Sequence, residues 1–355
     1  MVVKFIQAKA NKKKPNENDT LIFGKNFTDH MFIMEYDSKN KWHNARVQPY
    51  QPFILDPAAL CFHYGQTLFE GMKAYTSSKG EILLFRPMKN LERMQAGCRR
   101  LCIPEFDPKF LLKGLSELLK IEKEWIPKRK GSSLYIRPTI IATEATVGIQ
   151  TSTKYYCYII LSPVSSYYTG GFKPIAIHVE NKFIRAAVGG TGNVKTGGNY
   201  VGTLLAASQA KKRGFAQVLW LDANKKKYIE EVGAMNVFFV IDKQVITPPL
   251  TGSILPGVTR ESVIELLKNW NIPVIERLIS IDEVLEHCNT GLLTECFGTG
   301  TAAIVAPVGE LGYQDKKYTI NHGKVGSITK RIYDYLLKLQ HNEMVDQTKW
   351  IYKVI

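Results

Sequence analysis

Apolar residues recur along this chain in two rhythms. The stretches "HMFIMEY" (30–36), "SLYIRPTIIAT" (133–143) and "KYYCYIILSPV" (154–164) are short and dense in β-branched and aromatic residues, and read as strands. In "NLERMQAGCRRLCI" (90–103) and "PKFLLKGLSELLKIEKEWI" (108–126) apolar residues fall three and four apart, which predicts helices. The segment "SSYYTGGFKP" (165–174) is small, Gly-containing and closed by proline, and breaks the pattern. Beyond it "IAIHVE", "AQVLWLD", "NVFFVID" and "IPVIERLIS" read as strands. "YVGTLLAASQAKKRGF", "VTRESVIELLKNW" and "KRIYDYLLKLQHNE" read as helices, with Gly214 marking the end of the first. Strands and helices mix without strict alternation, which favours α+β or irregular mixed α/β over a doubly wound sheet.

A chain of 355 residues suggests two domains at ~150 residues each. The break at 165–174 divides it into 1–164, a linker, and 175–355. No apolar run approaches the ~18 residues of a membrane span. The basic opening "MVVKFIQAKANKKKPNEND" lacks both the apolar stretch of a secretion signal and the Arg- and Ser-rich character of a mitochondrial presequence. It predicts a polar arm on a cytoplasmic protein. The six cysteines form no C-x-x-C pair, so reduced thiols are expected and a metal site is not.

The net charge of +15 raises nucleic acid as a partner. The cations, however, sit in scattered short runs, "NKKKP", "PKRKG", "AKKRG" and "ANKKKY", without interleaved aromatics. They read as solvated loops and helix ends that attract small anions.

Three segments are candidates for phosphate. In "GGTGNVKTGGNYVGT" (189–203) Val194 precedes Lys195, so a Walker loop fails. In "FGTGTAA" (297–303) Gly298, Gly300 and Ala303 fit a loose dinucleotide pattern, but no strand with a terminal acid follows. In "LPGVTRESVIELL" the Pro256–Gly257 turn leads straight into a helix, which leaves Val258 and Thr259 with free first-turn N–H groups. Two phosphate cups and one isolated lysine suit pyridoxal 5'-phosphate, which needs a lysine, a phosphate cup and a carboxylate for its pyridine nitrogen. "YIEEVGAMNVFFVID" supplies Glu230 and Glu231 at a strand, where adjacent side chains point oppositely: one to the site, one to solvent.

In register, "FGKNFTDHM", "FHYGQTLFEGMKAY", "LFRPMKNLERM", "SLYIRP", "VGGTGNVKTGGNY", "EEVGAMNVF", "LPGVTR" and "FGTGTA" strongly resemble the branched-chain amino acid aminotransferases, the eukaryotic cytosolic branch in particular. The likeness runs from about Leu21 to the C-terminus. It implies a two-domain fold-type IV pyridoxal phosphate enzyme of the D-amino acid aminotransferase-like fold. Such a fold has a smaller N-terminal α/β domain, a larger C-terminal pseudo-barrel domain, the cofactor between them, and a homodimeric assembly.

Carried over by motif, Lys195 would bind the cofactor as a Schiff base and move the substrate's α-proton, and Tyr200 would bond the phenolic oxygen. Glu231 would hold the pyridine nitrogen, with Glu230 its solvated neighbour. Arg93, Arg185, Val258, Thr259, Gly300 and Thr301 would surround the phosphate. Phe23, Tyr64, Phe69, Tyr135, Ile149, Tyr167 and Ala302 would line an apolar substrate pocket, and Arg137 would meet the distal carboxylate of glutamate or 2-oxoglutarate.

The implied reaction is ping-pong transfer of the amino group of leucine, isoleucine or valine to 2-oxoglutarate. The same fold also admits a D-amino acid aminotransferase or an aminodeoxychorismate lyase, and "KTGGNY" with "YIRP" speaks against both. A non-catalytic anion- or nucleic-acid-binding protein is the rival from another class. Two positions depart from relatives. Ala303 and Ala306 stand where some carry a Cys-x-x-Cys redox switch, and Ala234 stands where one carries threonine.

Overall fold

The computed structural model describes residues 1–16, 19–129, 131–165 and 172–354. They form two compact units. One comprises Met1–Tyr167, Val194–Gly197 and Leu337–Ile355; the other comprises Tyr168–Asn193 and Gly198–Leu336.

The first unit is built on a nine-stranded sheet. Its centre is the antiparallel pair Ser133–Ala142 and Lys154–Val164, in register from Ser133 opposite Val164 to Ala142 opposite Tyr155. His30–Asp37 adds to one side and Met72–Thr76 to the other. The helices Pro87–Arg100 and Pro108–Ile121 bury Leu91, Met94, Leu111 and Leu115 in the same core as Phe32, Leu84 and Ile159. The second helix starts where Asp107 accepts from the Lys109 N–H and proline takes the first helical position. Inside it Gly114 lets Phe32 pack against bare backbone, since a Cβ there would come 2.4 Å from the ring.

The C-terminal strand Ile351–Val354 pairs antiparallel with Ile82–Phe85 of this sheet. The sequence reading placed all of 175–355 in the second domain. The chain end returns instead to the first unit, where it supplies backbone partners to an otherwise open sheet edge.

In the second unit six strands follow the order Ile229–Val232, Gln217–Leu221, Ile175–Glu180, Ile304–Tyr313, Leu293–Gly300 and Met235–Ile241. The last pairs back onto the first through Glu231 opposite Asn236, which closes a six-stranded barrel. Closure explains the apolar run "VFFVI", Val237 to Ile241, which lies in a strand whose two faces are both covered.

Some elements differ from the reading. "IPVIERLIS" pairs only over Val274–Glu276. The helix expected from Tyr200 is split into Gly198–Val201 and Leu204–Lys212, with Thr203 Oγ1 donating to the Tyr200 carbonyl at 2.6 Å in the break. Gly214 ends the second piece at φ +85°, a left-handed conformation that suits glycine.

Candidate active site

Lys195 lies in Val194–Gly197, counted with the first unit. Its carbonyl accepts from the Phe69 N–H at 2.9 Å, and Thr196 Oγ1 donates to the Thr67 carbonyl at 2.8 Å. Val194 is buried in the first core. These contacts pin the segment along Thr67–Phe69, and Lys195 Nζ stands 4.9 Å from the centre of the Phe69 ring.

Around the same ring the sheet gathers several of the expected substrate residues. Arg137 lies 4.8 Å from Phe69 and 5.3 Å from Tyr135, ring centre to guanidinium carbon, and donates to the Tyr135 hydroxyl at 3.2 Å. Phe23 meets Tyr135 edge-on at 4.7 Å. Arg137 Nε is buried with no hydrogen-bond partner among the described residues. Alternation along Ser133–Ala142 puts Tyr135 and Arg137 on one face. Tyr64 donates its hydroxyl to the Val147 carbonyl, which ties it to the loop carrying Ile149, itself 87% exposed. Tyr167 lies outside the described residues.

Arg93, expected at a phosphate, makes a two-pronged ion pair with buried Glu70, Nε to Oε1 at 2.7 Å and Nη2 to Oε2 at 2.9 Å. Burial alone would push the Glu70 carboxyl up. The charges of Arg93 and Lys195 and the bonds from Arg93 and Asn90 outweigh it and hold the group below the ordinary carboxylate range.

In the second unit Glu231 is 3% exposed. It accepts from the Leu255 N–H at 2.8 Å, and Arg185 Nε lies 3.1 Å from its other oxygen, an ion pair without hydrogen-bond alignment. Arg185, expected near a phosphate, thus faces Glu231, and its Nη2 donates to the Ser253 carbonyl. Gly192 allows this crowding, because a Cβ there would fall 2.2 Å from the same carbonyl oxygen.

Glu230 corrects the reading. Expected in solvent, it is 6% exposed and accepts from Ser253 Oγ at 2.5 Å. The strand Ile229–Val232 is buried at every position because the closed barrel covers both of its faces. Burial pushes the Glu230 carboxyl up, against the Ser253 bond and the Arg185 charge.

The helix Val258–Asn269 starts from Gly257, whose backbone is extended and which brings no capping side chain. A Cβ at Gly257 would fall 2.0 Å from Asn236 Oδ1, so glycine is needed where the helix start meets the barrel. Thr259 is buried in the first turn, and the Thr299 hydroxyl is buried without a partner among the described residues. Gly300 ends its strand 3.4 Å, measured from an added Cβ, from Met235 Cγ; Thr301 and Ala302 follow in the turn. Taken unit by unit, the second offers a dipole-bearing helix start with hydroxyls and a buried carboxylate, and the first offers a pinned lysine; these are the donor types that pyridoxal 5'-phosphate needs.

Sequence reasoning missed Glu70, Asn90, Ser253 and Leu255. Glu70 was visible as the acid of "FEGMKAY", but its pairing with Asn90 and Arg93 depends on how the helix Pro87–Arg100 packs and on no local pattern.

The family model described as Amino-transferase class IV matches residues 67–311. The chain is 53% identical over 343 residues to branched-chain-amino-acid aminotransferase 2 of Bacillus subtilis, spanning 97% of this chain and 94% of that one. Where the motifs leaned toward the eukaryotic branch, this relative is bacterial. The crystal structure of the branched-chain amino acid aminotransferase of Escherichia coli is similar at a TM-score of 0.76 and 27% identity, over 92% of this chain and 99% of that one. The branched-chain amino acid aminotransferase from Thermobaculum terrenum, solved in its PLP-form, shares the fold at a TM-score of 0.72 and 21% identity, over 91% of this chain and 98% of that one.

Proposed function

The chain belongs to the class-IV aminotransferases, and within them to the branched-chain amino acid aminotransferases; from that premise we propose that Lys195, Tyr200 and Glu231 carry its reaction. It is a pyridoxal phosphate-dependent transaminase that moves the amino group of L-leucine, L-isoleucine or L-valine to 2-oxoglutarate, giving the branched 2-oxo acid and L-glutamate. The observation that carries the assignment of residues is the pinned Lys195, held by backbone bonds to Thr67–Phe69 with its Nζ over the Phe69 ring.

Bound to its lysine, the cofactor supplies an electron-withdrawing ring that makes the substrate's α-proton acidic. The chain does the rest. Lys195 Nζ would hold the cofactor and would be the base that carries the α-proton between substrate and cofactor. Glu231 holds a proton at the pyridine nitrogen, and Arg185 and the Leu255 N–H fix that carboxylate in place. Tyr200 orients the ring by its hydroxyl. Val258 and Thr259 at the helix start, with Gly300, Thr301 and Arg93, bind the phosphate.

Phe23, Phe69, Tyr135 and Ala302 give the substrate side chain an apolar wall. Arg137, with a buried Nε lacking a partner among the described residues, receives the distal carboxylate of glutamate. Ile54, Phe62, Tyr64, Val147 and Ile149 are exposed on segments joined by the Ala59–Ala145 bridge, an apolar surface suited to a second copy in a homodimer. We place the enzyme in the cytoplasm, in keeping with its six free cysteines.

The test is the visible absorbance of the purified protein, before and after L-leucine and then after 2-oxoglutarate. A yellow band that bleaches with leucine and returns with 2-oxoglutarate is expected. A band that ignores leucine and answers D-alanine would move the function to a D-amino acid aminotransferase.

A further inference from the structure

Glu70 has no part in the roles assigned above, yet it is among the most completely buried charges in the described residues, 0% exposed. Taking a carboxylate out of water costs several kcal/mol unless its lone pairs are met. All are met here. Oε1 accepts from Arg93 Nε at 2.7 Å. Oε2 accepts from Arg93 Nη2 at 2.9 Å, from Asn90 Nδ2 at 3.1 Å and from the Gly71 N–H at 3.0 Å.

Sequence and local structure prepare this. Asn90 and Arg93 are three apart on the helix Pro87–Arg100, so both reach from one face to the same acid. Asn90 also donates to the Gly71 carbonyl at 3.3 Å, which ties the helix to the strand end that carries Glu70. Glu70 itself is anchored by its N–H to the Pro138 carbonyl at 2.8 Å. It follows Phe69, the residue bonded to the Lys195 carbonyl, and the Lys195 charge acts on its carboxyl.

We propose that Glu70 is a positioning residue for the cofactor's phosphate: it clamps one planar edge of the Arg93 guanidinium and so aims the rest of that side chain. A guanidinium has five N–H donors in a rigid fork, and fixing two of them sets the direction of the others. A long arginine otherwise loses rotamer freedom when it binds an anion, and a clamp already in place removes that cost from binding. The inference rests on the reading that Arg93 binds the phosphate. Two variants separate the two claims.

The full chain, resolved of its cofactor, is titrated with pyridoxal 5'-phosphate and with pyridoxal, which lacks the phosphate. The quantity read is the ratio of the two dissociation constants, pyridoxal over pyridoxal phosphate. Glu70→Gln is expected to weaken pyridoxal phosphate by about tenfold while pyridoxal stays within about twofold. Arg93→Gln is expected to lower the same ratio at least as much. Glu70→Asp, which keeps the charge, is expected to recover part of the loss.

Equal weakening of both ligands in Glu70→Gln would mean a merely structural acid and overturn the proposal, as would no change in either. An unchanged ratio in Arg93→Gln would overturn the phosphate reading of Arg93 and the proposal with it. A ratio that falls in Arg93→Gln and not in Glu70→Gln overturns the proposal alone. If Glu70→Gln does not fold, Asn90→Ser removes one bond to the acid and leaves the ion pair. It is expected to shift the ratio in the same direction by about threefold, and an unmoved ratio there overturns the proposal.

Discussion

Arg185 Nε stands 3.1 Å from Glu231 Oε2, and both side chains are nearly sealed from water, at 7% and 4% exposure. Removing one partner of a buried pair leaves the other uncompensated, at a cost of ~3 kcal/mol. Arg185→Gln is therefore expected to lower stability in urea by about that amount. The double variant Arg185→Gln/Glu231→Gln should recover much of it, since no lone charge then remains. A double variant less stable than Arg185→Gln would mean that the pair is not what Arg185 contributes.

Glu231→Gln keeps the shape and the Leu255 bond at 2.8 Å but gives up the charge proposed to hold a proton at the ring nitrogen. Turnover with leucine should fall by roughly a hundredfold, with the cofactor still retained. Lys195→Ala should lose nearly all turnover, ~1000-fold or more, together with the covalently bound yellow band. Substantial residual turnover in Lys195→Ala would remove Lys195 from its role.

Glu230 provides the contrast. Its folded pKa is raised by burial, against the Ser253 bond and Arg185. A raised carboxyl contributes stability below its unfolded value, ~4.3, and that contribution is lost as pH rises through the folded value. At neutral pH the ionised group therefore weakens the fold. Glu230→Gln should melt higher than the parent near neutral pH, with the advantage vanishing below about pH 4. Its turnover should stay close to the parent's, unlike that of Glu231→Gln. A hundredfold loss in Glu230→Gln instead would exchange the roles of the two acids.

Glu70 has the opposite sign. Although burial opposes it, Arg93, Lys195 and Asn90 hold its pKa down. Its stabilising contribution is present above the ordinary carboxylate value and is lost as pH falls through the lowered one. The parent should lose stability on acidification below about pH 4, and Glu70→Gln should show a flatter acid limb. Parallel acid limbs would mean that the pair with Arg93 contributes nothing to folding.

What the sequence told, and what it withheld, divides by range. The strand Lys154–Val164 matched its reading to the residue because aromatic and β-branched side chains fill it. The helix Pro108–Ile121 announced itself by the spacing of its apolar residues. The helix Ile281–Thr290 was missed although Ser280 and Glu283 form a capping signature, the Ser280 side chain accepting from the Glu283 N–H. Glu230 misled because alternation predicts one wet face, and only barrel closure through Glu231 and Asn236 dries both. The return of Ile351–Val354 to Ile82–Phe85 spans most of the chain, a pairing no local pattern encodes. The motifs singled out Lys195 and Glu231. The clamps on Arg93 and Glu231, namely Glu70, Asn90 and the Leu255 N–H, were not, because they are defined by distance in space.

In the proposed reading Arg137 separates the two half-reactions. Its guanidinium lies over Phe69, donates to the Tyr135 hydroxyl, and keeps a buried Nε without a partner among the described residues. An apolar wall bound to leucine makes no call on that charge, whereas glutamate and 2-oxoglutarate bring a second carboxylate that needs it. A site built to bond a polar group discriminates strongly once the bond is lost, while a methylene more or less counts for little. Arg137→Gln is therefore expected to lower kcat/KM for the glutamate half-reaction by roughly a hundredfold and that for leucine by no more than about fivefold. Stopped-flow absorbance of each half-reaction on the loaded enzyme reads the two separately. Equal losses would mean that Arg137 supports the Phe69–Tyr135 wall rather than the carboxylate, and a loss confined to leucine would reverse the assignment.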